Sequence, residues 1–261
     1  MIKIEKLTKK FRVPIEDFEI IKKLFFVYNY SSKNLKKDEF YSLKNINLEI
    51  KDGEKIFILG SSGSGKTTLF SVLSNKINYD EGLVEKSNNF FSSTLINMPP
   101  NLFPRLKLNN FIKILASFYK INNNLAFEDL KKNLLELLNI SDEQLNTNFY
   151  EMDKSLFKSI IFALSCFTDN KIYLFDNFNF DFQNHNFNKI WEKFLINSQN
   201  KICLFFSCNN LKFIKDNADK IIVMENSQIK KFDKVENFSE EELKQNFKLK
   251  SDEDLIEEDD V

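Results

Sequence analysis

Glycine is scarce in this chain, five residues in 261, and three of the five fall within six positions. Histidine occurs once and cysteine three times. The cysteines Cys166, Cys203 and Cys208 show no C-x-x-C spacing, which argues against a zinc site or a disulfide framework and fits reduced thiols in a cytoplasmic protein. An excess of one charge is missing too. The 37 basic side chains face 38 acidic ones for a net charge of −1, so no overall field marks a nucleic-acid binder and no nucleic-acid partner is expected. Long apolar runs are absent, and the longest near the start, Leu24-Phe25-Phe26-Val27-Tyr28, is far too short for a bilayer. The opening Met1-Ile2-Lys3-Ile4-Glu5-Lys6 alternates like a strand and has no signal-peptide core. What is present is a 43% hydrophobic chain, rich in Phe with 29 residues, of a size for one domain with a subdomain.

The clustered glycines lie in Gly60-Ser61-Ser62-Gly63-Ser64-Gly65-Lys66-Thr67-Thr68, which fits the phosphate-binding pattern G-x-x-x-x-G-K-[ST] at every position. Lys55-Ile56-Phe57-Ile58-Leu59 reads as a buried strand entering this loop, and Thr68 to Leu73 as a helix leaving it. Glycines let successive backbone N–H groups turn inward on an anion, and the helix start adds its positive end. Lys66 is expected at the β- and γ-phosphates, Thr67 at Mg²⁺ and Thr68 at a phosphate oxygen. Lys171-Ile172-Tyr173-Leu174-Phe175-Asp176 supplies the acidic residue such a site needs for Mg²⁺ at the end of a neighbouring strand.

Strands are predicted at about 2 to 8, 45 to 50, 55 to 59, 93 to 98, 171 to 176, 201 to 207 and 219 to 224, with helical patterns after several of them. That alternation implies an α/β fold with a mainly parallel sheet covered on both faces. Between about 102 and 168 only helical spacing recurs, as in an insert. Residues from Pro14 to Phe40 form a charged and aromatic excursion, with a short amphipathic helix possible at Ile20 to Phe25. The run Ser251 to Val261 carries seven acids and no base, and reads as a solvated, mobile tail. The single histidine, His185, falls in an Asn-rich loop out of register for catalysis.

Taken in order, these pieces resemble the ATP-binding subunit of ABC transporters over nearly the whole chain. Leu7-Thr8-Lys9-Lys10-Phe11 is similar to that family's first strand and the aromatic that stacks on adenine. Tyr41 to Glu54 resembles the run into the phosphate loop, Asn101 to Leu108 the opening of the helical subdomain, and Ala218 to Met224 the late strand. The insert between Phe11 and Tyr41, together with Phe162-Ala163-Leu164-Ser165, resembles the branch that exports polysaccharide, lipopolysaccharide O-chains or teichoic acid. The resemblance implies a P-loop core with a helical subdomain at about 102–168 and an antiparallel β portion, all within an ATP-binding domain of residues 1–240, followed by an acidic tail at 241–261. It further implies ATP and Mg²⁺ as ligands, a second ATP-binding subunit in a homo- or heterodimer, and an integral membrane permease. The subunit would then sit in the cytoplasm at the inner face of the membrane.

Several positions depart from the family pattern. Met152-Asp153-Lys154-Ser155-Leu156 falls on the Leu-Ser-Gly-Gly-Gln signature and keeps neither its serine nor its glycines. Asn177 stands where a glutamate polarises the attacking water, and Cys208 where a histidine contacts the γ-phosphate. Losing a general base costs about 10²- to 10⁴-fold in rate. Met98, with Asn97 beside it, falls at the loop glutamine, and Asp181-Phe182-Gln183 keeps little of Ala-Leu-Asp. Hydrolysis is therefore expected to be strongly impaired. Two readings follow, an energy-coupling export subunit and a non-hydrolysing ATP-binding module with a regulatory or structural role. A P-loop kinase or GTPase would not carry the ordered segments at Leu7 to Phe11 and Ala218 to Met224.

Overall fold

A computed structural model describes residues 1–12, 39–93, 106–119, 121, 127–148, 151, 154–180 and 185–248. The chain begins with β1 (Ile2–Arg12), β2 (Glu39–Ile50), β3 (Lys55–Leu59), α1 (Lys66–Leu73), β4 (Glu81–Glu85) and β5 (Phe90–Ser92). Four helices follow: α2 (Leu108–Phe118), α3 (Phe127–Leu138), the short α4 (Asp142–Leu145) and α5 (Lys154–Ser165). Then come β6 (Ile172–Phe175), α6 (His185–Asn197), β7 (Ile202–Phe206) and α7 (Leu211–Asn217). The order closes with β8 (Lys220–Glu225), β9 (Gln228–Lys234) and α8 (Glu240–Lys248).

The chain divides into two compact units, one made of residues 1–51, 56–86 and 218–261, the other of 52–55 and 87–217. In the first, an antiparallel sheet runs β2-β1-β4, with Ile4 opposite Leu48 on one side and Val84 on the other. Along β2, Ile46, Leu48 and Ile50 are buried while Asn45, Asn47 and Glu49 are exposed, the period-two pattern of a sheet with one face on the core. Strand β3 pairs in parallel with β8, and β8 pairs antiparallel with β9. Ile56 to Leu59 and Ile221 to Met224 are buried without alternation, as strands covered on both faces must be.

In the second unit β5, β6 and β7 form a parallel ladder, in which Phe90 pairs with Ile172 and Ile172 with Ile202. Helix α2 buries Leu108, Phe111, Ile112 and Leu115, and α3 buries Leu130, Leu134 and Leu138, each a single stripe at helical spacing. Helix α5 buries Ile160 to Leu164 without a break. Its Phe162 ring lies 5.2 to 5.3 Å from those of Phe175, Phe178 and Phe194, at the centre of an aromatic core that also holds Phe187, Trp191 and Phe205. Much of the phenylalanine surplus is spent here.

The structure departs from the sequence expectations at several elements. The strand expected at 93 to 98 is instead β5 at Phe90–Ser92, with residues 94–98 outside the described set. His185 is the first residue of α6 rather than a loop residue. The reading of 241–261 as a tail is corrected over its first part, because Glu240–Lys248 form α8. Ser239 caps that helix, its hydroxyl accepting from the Glu242 N–H at 3.1 Å while its own N–H donates to the Glu242 carboxylate at 2.9 Å. Strands β4 and β9 are additions, since their charged sequences, almost wholly exposed in β4 and half-exposed in β9, carry little apolar signal. The helix expected at Ile20 to Phe25, along with Asn97, Met98, Met152, Asp153 and Asp181 to Gln183, lies outside the described residues.

Candidate functional site

The predicted nucleotide residues divide between the units, Phe11 and Gly60 to Thr68 in the first, Asp176, Asn177 and Cys208 in the second. The phosphate loop leaves the end of β3 through Gly60 at φ 147°, Gly63 at φ 73° and Gly65 at φ 100°, all in the region that side chains disfavour. A Cβ on Gly60 would also run into the Met224 carbonyl, and one on Gly65 into the Ser42 carbonyl. Glycine at these two positions is thus required by both dihedral and space. The loop closes on itself through the Ser64 N–H, which donates to the Ser61 carbonyl at 3.2 Å, leaving Ser62 exposed at its tip.

Lys66 opens α1 and is buried, at 6% exposure. Its ammonium donates to the carbonyls of Gly60 at 2.8 Å and Ser61 at 2.7 Å and to Ser64 Oγ at 3.3 Å, so a charge that burial would penalise is held by oxygen atoms of its own loop. Helix α1 has no side-chain cap and no acidic residue in its first turn. Its leading N–H groups and positive end therefore meet no acidic side chain of the helix's own first turn, which is the arrangement an anion needs. Thr67 is exposed on the first turn, whereas Thr68 is half-buried with its hydroxyl 2.5 Å from Ser42 Oγ on β2.

Phe11, one residue before the end of β1, lies opposite Phe40 of β2, the two rings 6.0 Å apart and tilted by 34°. Lys9 Nζ lies 5.4 Å from the Phe11 centroid. Phe40 is two residues before Ser42, about 7 Å of strand. The sheet register thereby carries the aromatic pair and the loop's supporting strand in one piece of β structure.

In the second unit Asp176 follows β6 directly and is 3% exposed. Its N–H donates to Ser93 Oγ at 2.9 Å, and its carboxylate accepts from the Asn177 N–H at 3.0 Å. Asn177 takes φ 51°, a left-handed turn that asparagine tolerates better than most residues. The segment after β6 is then laced to the segment after β7: the Phe178 N–H donates to the Phe206 carbonyl at 3.1 Å, and Asn179 Oδ1 accepts from the Asn209 N–H at 2.8 Å. These bonds bring Asn177 and Cys208 onto adjoining strand ends. Cys208 is 4% exposed, and burial pushes its thiol up to about 12, so it is neutral at physiological pH. A neutral thiol is a weak hydrogen-bond donor and an amide accepts no proton at this pH.

Sequence reasoning missed Ser42, Ser93, Asn179 and Asn209. Ser93 carried a faint signal, a polar residue closing an apolar strand; the others become visible only through partners distant in sequence. Thr67 in the first unit and Asp176 in the second each carry an oxygen donor of the hard type Mg²⁺ prefers, so each residue taken by itself suits that ion. Among the described residues there is no cluster of three or more His, Cys, Asp or Glu side chains able to hold a metal.

A family model described as "ABC transporter" matches residues 43–178, from β2 through both nucleotide motifs. The chain belongs to the ABC transporter family. Among curated relatives of this cassette, a lacticin-481/lactococcin-DR transport/processing ATP-binding protein of Lactococcus lactis subsp. lactis is 29% identical, covering 77% of the chain and 29% of the relative. A teichoic acids export ATP-binding protein of Shouchella clausii is 28% identical, covering 87% of the chain and 60% of the relative. The chain thus spans less than two thirds of the length of either relative. A solved dimeric ATP-binding cassette in a post-hydrolysis state with ADP and Pi superposes at a TM-score of 0.63 and 18% identity, covering 91% of the chain and all of the cassette. An ATP-binding subunit of an ABC transporter does so at 0.64 and 12%, covering 96% and 95%. At those identities the likeness establishes the fold, an α/β ABC cassette.

Proposed function

We propose that this chain is the ATP-binding subunit of an export-type ABC transporter, holding Mg-ATP through Gly60 to Thr68 and Asp176 and hydrolysing it far more slowly than an intact family member. It would work beside a second ATP-binding subunit, identical or not, beneath an integral membrane permease. The observation that carries the binding half is the Lys66 ammonium on a glycine loop at an uncapped, acid-free helix start. Among the described residues no helix is long and apolar enough to cross a membrane. A polysaccharide-type cargo is supported by the teichoic acids exporter that matches along 87% of the chain.

A second reading is favoured by Asn177 and Cys208. An amide in a left-handed turn and a buried neutral thiol provide neither a base nor a cationic contact at the γ-phosphate. On this reading the chain is a non-hydrolysing module that closes on ATP and regulates or scaffolds its partner. One pair of measurements separates the two. Mg-ATP affinity and turnover are determined for the purified chain and for its complex with the permease. Lys66→Ala is expected to weaken Mg-ATP binding about 10- to 100-fold, as removal of a charged hydrogen-bonding group does. Turnover that appears only in the complex favours the coupling subunit, and binding without turnover in both favours the silent module. Turnover of the isolated chain equal to that of an intact subunit, and abolished by Lys66→Ala, would overturn the impairment.

A further inference from the structure

Ser42 occupies a position whose chemistry the ABC resemblance leaves unused. Its hydroxyl lies 2.5 Å from Thr68 Oγ1, across 26 residues of sequence. Its carbonyl backs onto Gly65, where the loop turns into α1. The backbone on either side of Ser42 is gripped by the β8–β9 turn: the Ser227 hydroxyl donates to the Tyr41 carbonyl at 2.8 Å, and the Lys44 N–H donates to the Ser227 carbonyl at 2.8 Å. Asn226 and Ser227 both take left-handed dihedrals there, φ 49° and 63°, so the turn is a defined one. The strand end that reaches Thr68 is therefore clamped on both sides.

We propose that Ser42 is a positioning residue for bound nucleotide, donating its hydrogen to Thr68 so that the hydrogen of Thr68 is left for a phosphate oxygen. This rests on the reading of Gly60 to Thr68 as a nucleotide site. Each hydroxyl carries one hydrogen and two acceptor lone pairs. Without an anion either member of the pair is able to donate to the other. A phosphate oxygen only accepts, so Thr68 must donate to it, and the remaining bond runs one way, from Ser42 to Thr68. A directed chain of this kind polarises each bond along it. A threonine on a helix also has two competing χ1 wells, one of which turns its hydroxyl back to a carbonyl of the preceding turn. The Ser42 contact selects one well before the ligand arrives, which removes part of the ordering cost of binding.

The test uses the purified full chain and equilibrium Mg-ATP binding, with nucleotide-free melting recorded in parallel. Ser42→Ala is expected to weaken Mg-ATP binding about three- to tenfold, the usual range for one hydrogen bond, and to move the nucleotide-free melting midpoint by no more than about 2 °C. Ser42→Thr, which keeps the hydroxyl, should restore affinity to within about twofold of the parent. In a Thr68→Val background, chosen to keep the shape of the side chain, Ser42→Ala should have no further effect on affinity. Wild-type affinity in Ser42→Ala, loss that multiplies with that of Thr68→Val, or failure of Ser42→Thr to restore binding would each overturn the proposal. Lys66→Ala is the control that separates the two layers: if the parent chain binds Mg-ATP no better than Lys66→Ala, the nucleotide-site reading falls and the Ser42 role with it. If Lys66→Ala alone loses binding, only the Ser42 role is refuted.

Discussion

Lys66 and Cys208 are about equally buried, at 6% and 4% exposure, yet their surroundings are opposite in character. Lys66 donates to the oxygens of Gly60, Ser61 and Ser64, polar partners of the kind a buried amino group requires. Burial is instead the main influence on Cys208, pushing a thiol that is protonated at neutral pH further up, to about 12, against a weaker backbone hydrogen bond at Asn210. The loop combines glycine backbone, a buried amino group and an acid-free first helical turn. Around Asn177 and Cys208 the strand ends are joined by a parallel ladder and lacing hydrogen bonds, and the side chains at the two positions are an amide and a neutral thiol. Burial of a polar group thus says little about its function until its partners are named.

The largest change that would break this contrast is to place a carboxylate at 177 and an imidazole at 208, the groups that the proposed function calls for in a hydrolysing subunit. Asn177→Glu with Cys208→His is expected to raise ATP turnover of the chain, in complex with its partners, by about 10²-fold or more, with either substitution alone giving much less. Phosphate release measured at saturating Mg-ATP checks this. No gain in the double variant would mean that residues elsewhere, the altered signature at Met152 to Leu156 first among them, set the limit.

Next in size is the aromatic core of the second unit. Phe162→Ala removes a fully buried ring whose neighbours include Phe175, Phe178 and Phe194, and should destabilise the chain by about 3–5 kcal/mol in urea denaturation. A cost below about 1 kcal/mol would show that the core readily collapses on the cavity, and would weaken the picture of a rigid frame behind Asn177.

The smallest effect concerns the thiols. Burial pushes Cys166 and Cys208 from an ordinary value of 9.0 up to about 12 in the folded chain. Between those values the folded chain holds protons that the unfolded chain releases. Their contribution to stability is complete below pH 9.0 and is lost as pH rises toward about 12. Denaturation midpoints should therefore fall through that alkaline window, and less so in Cys166→Ala with Cys208→Ala. In the native chain at about pH 8 both thiols should react slowly with a disulfide reagent and become fast in concentrated urea. Rapid native labelling of Cys208 would place it in an open, functional setting, contrary to the comparison drawn above.

The parts legible from sequence share a physical property: their signals are local. The phosphate loop is written in nine consecutive residues, and β3, β6, β7 and β8 announce themselves as unbroken apolar runs because both of their faces are covered. Strands β4 and β9 gave no such signal. Glu81–Glu85 is almost wholly exposed and is held as a strand by its antiparallel pairing with β1, while Gln228–Lys234 is held by β8. Helix α8 was obscured for a similar reason, since its acid-rich start reads as solvated tail until the Ser239 cap is seen.

Sequence by itself determined the phosphate-loop motif at Gly60 to Thr68, the aspartate that closes an apolar run at 176 and the residue types at 177 and 208, because residue type and spacing are all that such motifs require. Only the tertiary structure decided what state those residues are in. The extension of the Cys208 thiol's protonated range to about pH 12 follows from its burial, the orientation of Asn177 from a left-handed turn beside Asp176, and the partner of Thr68 from a strand 26 residues upstream. Protonation, dihedral strain and hydrogen-bond direction depend on neighbours in space, and those neighbours are chosen by the packing of strands that lie far apart along the chain.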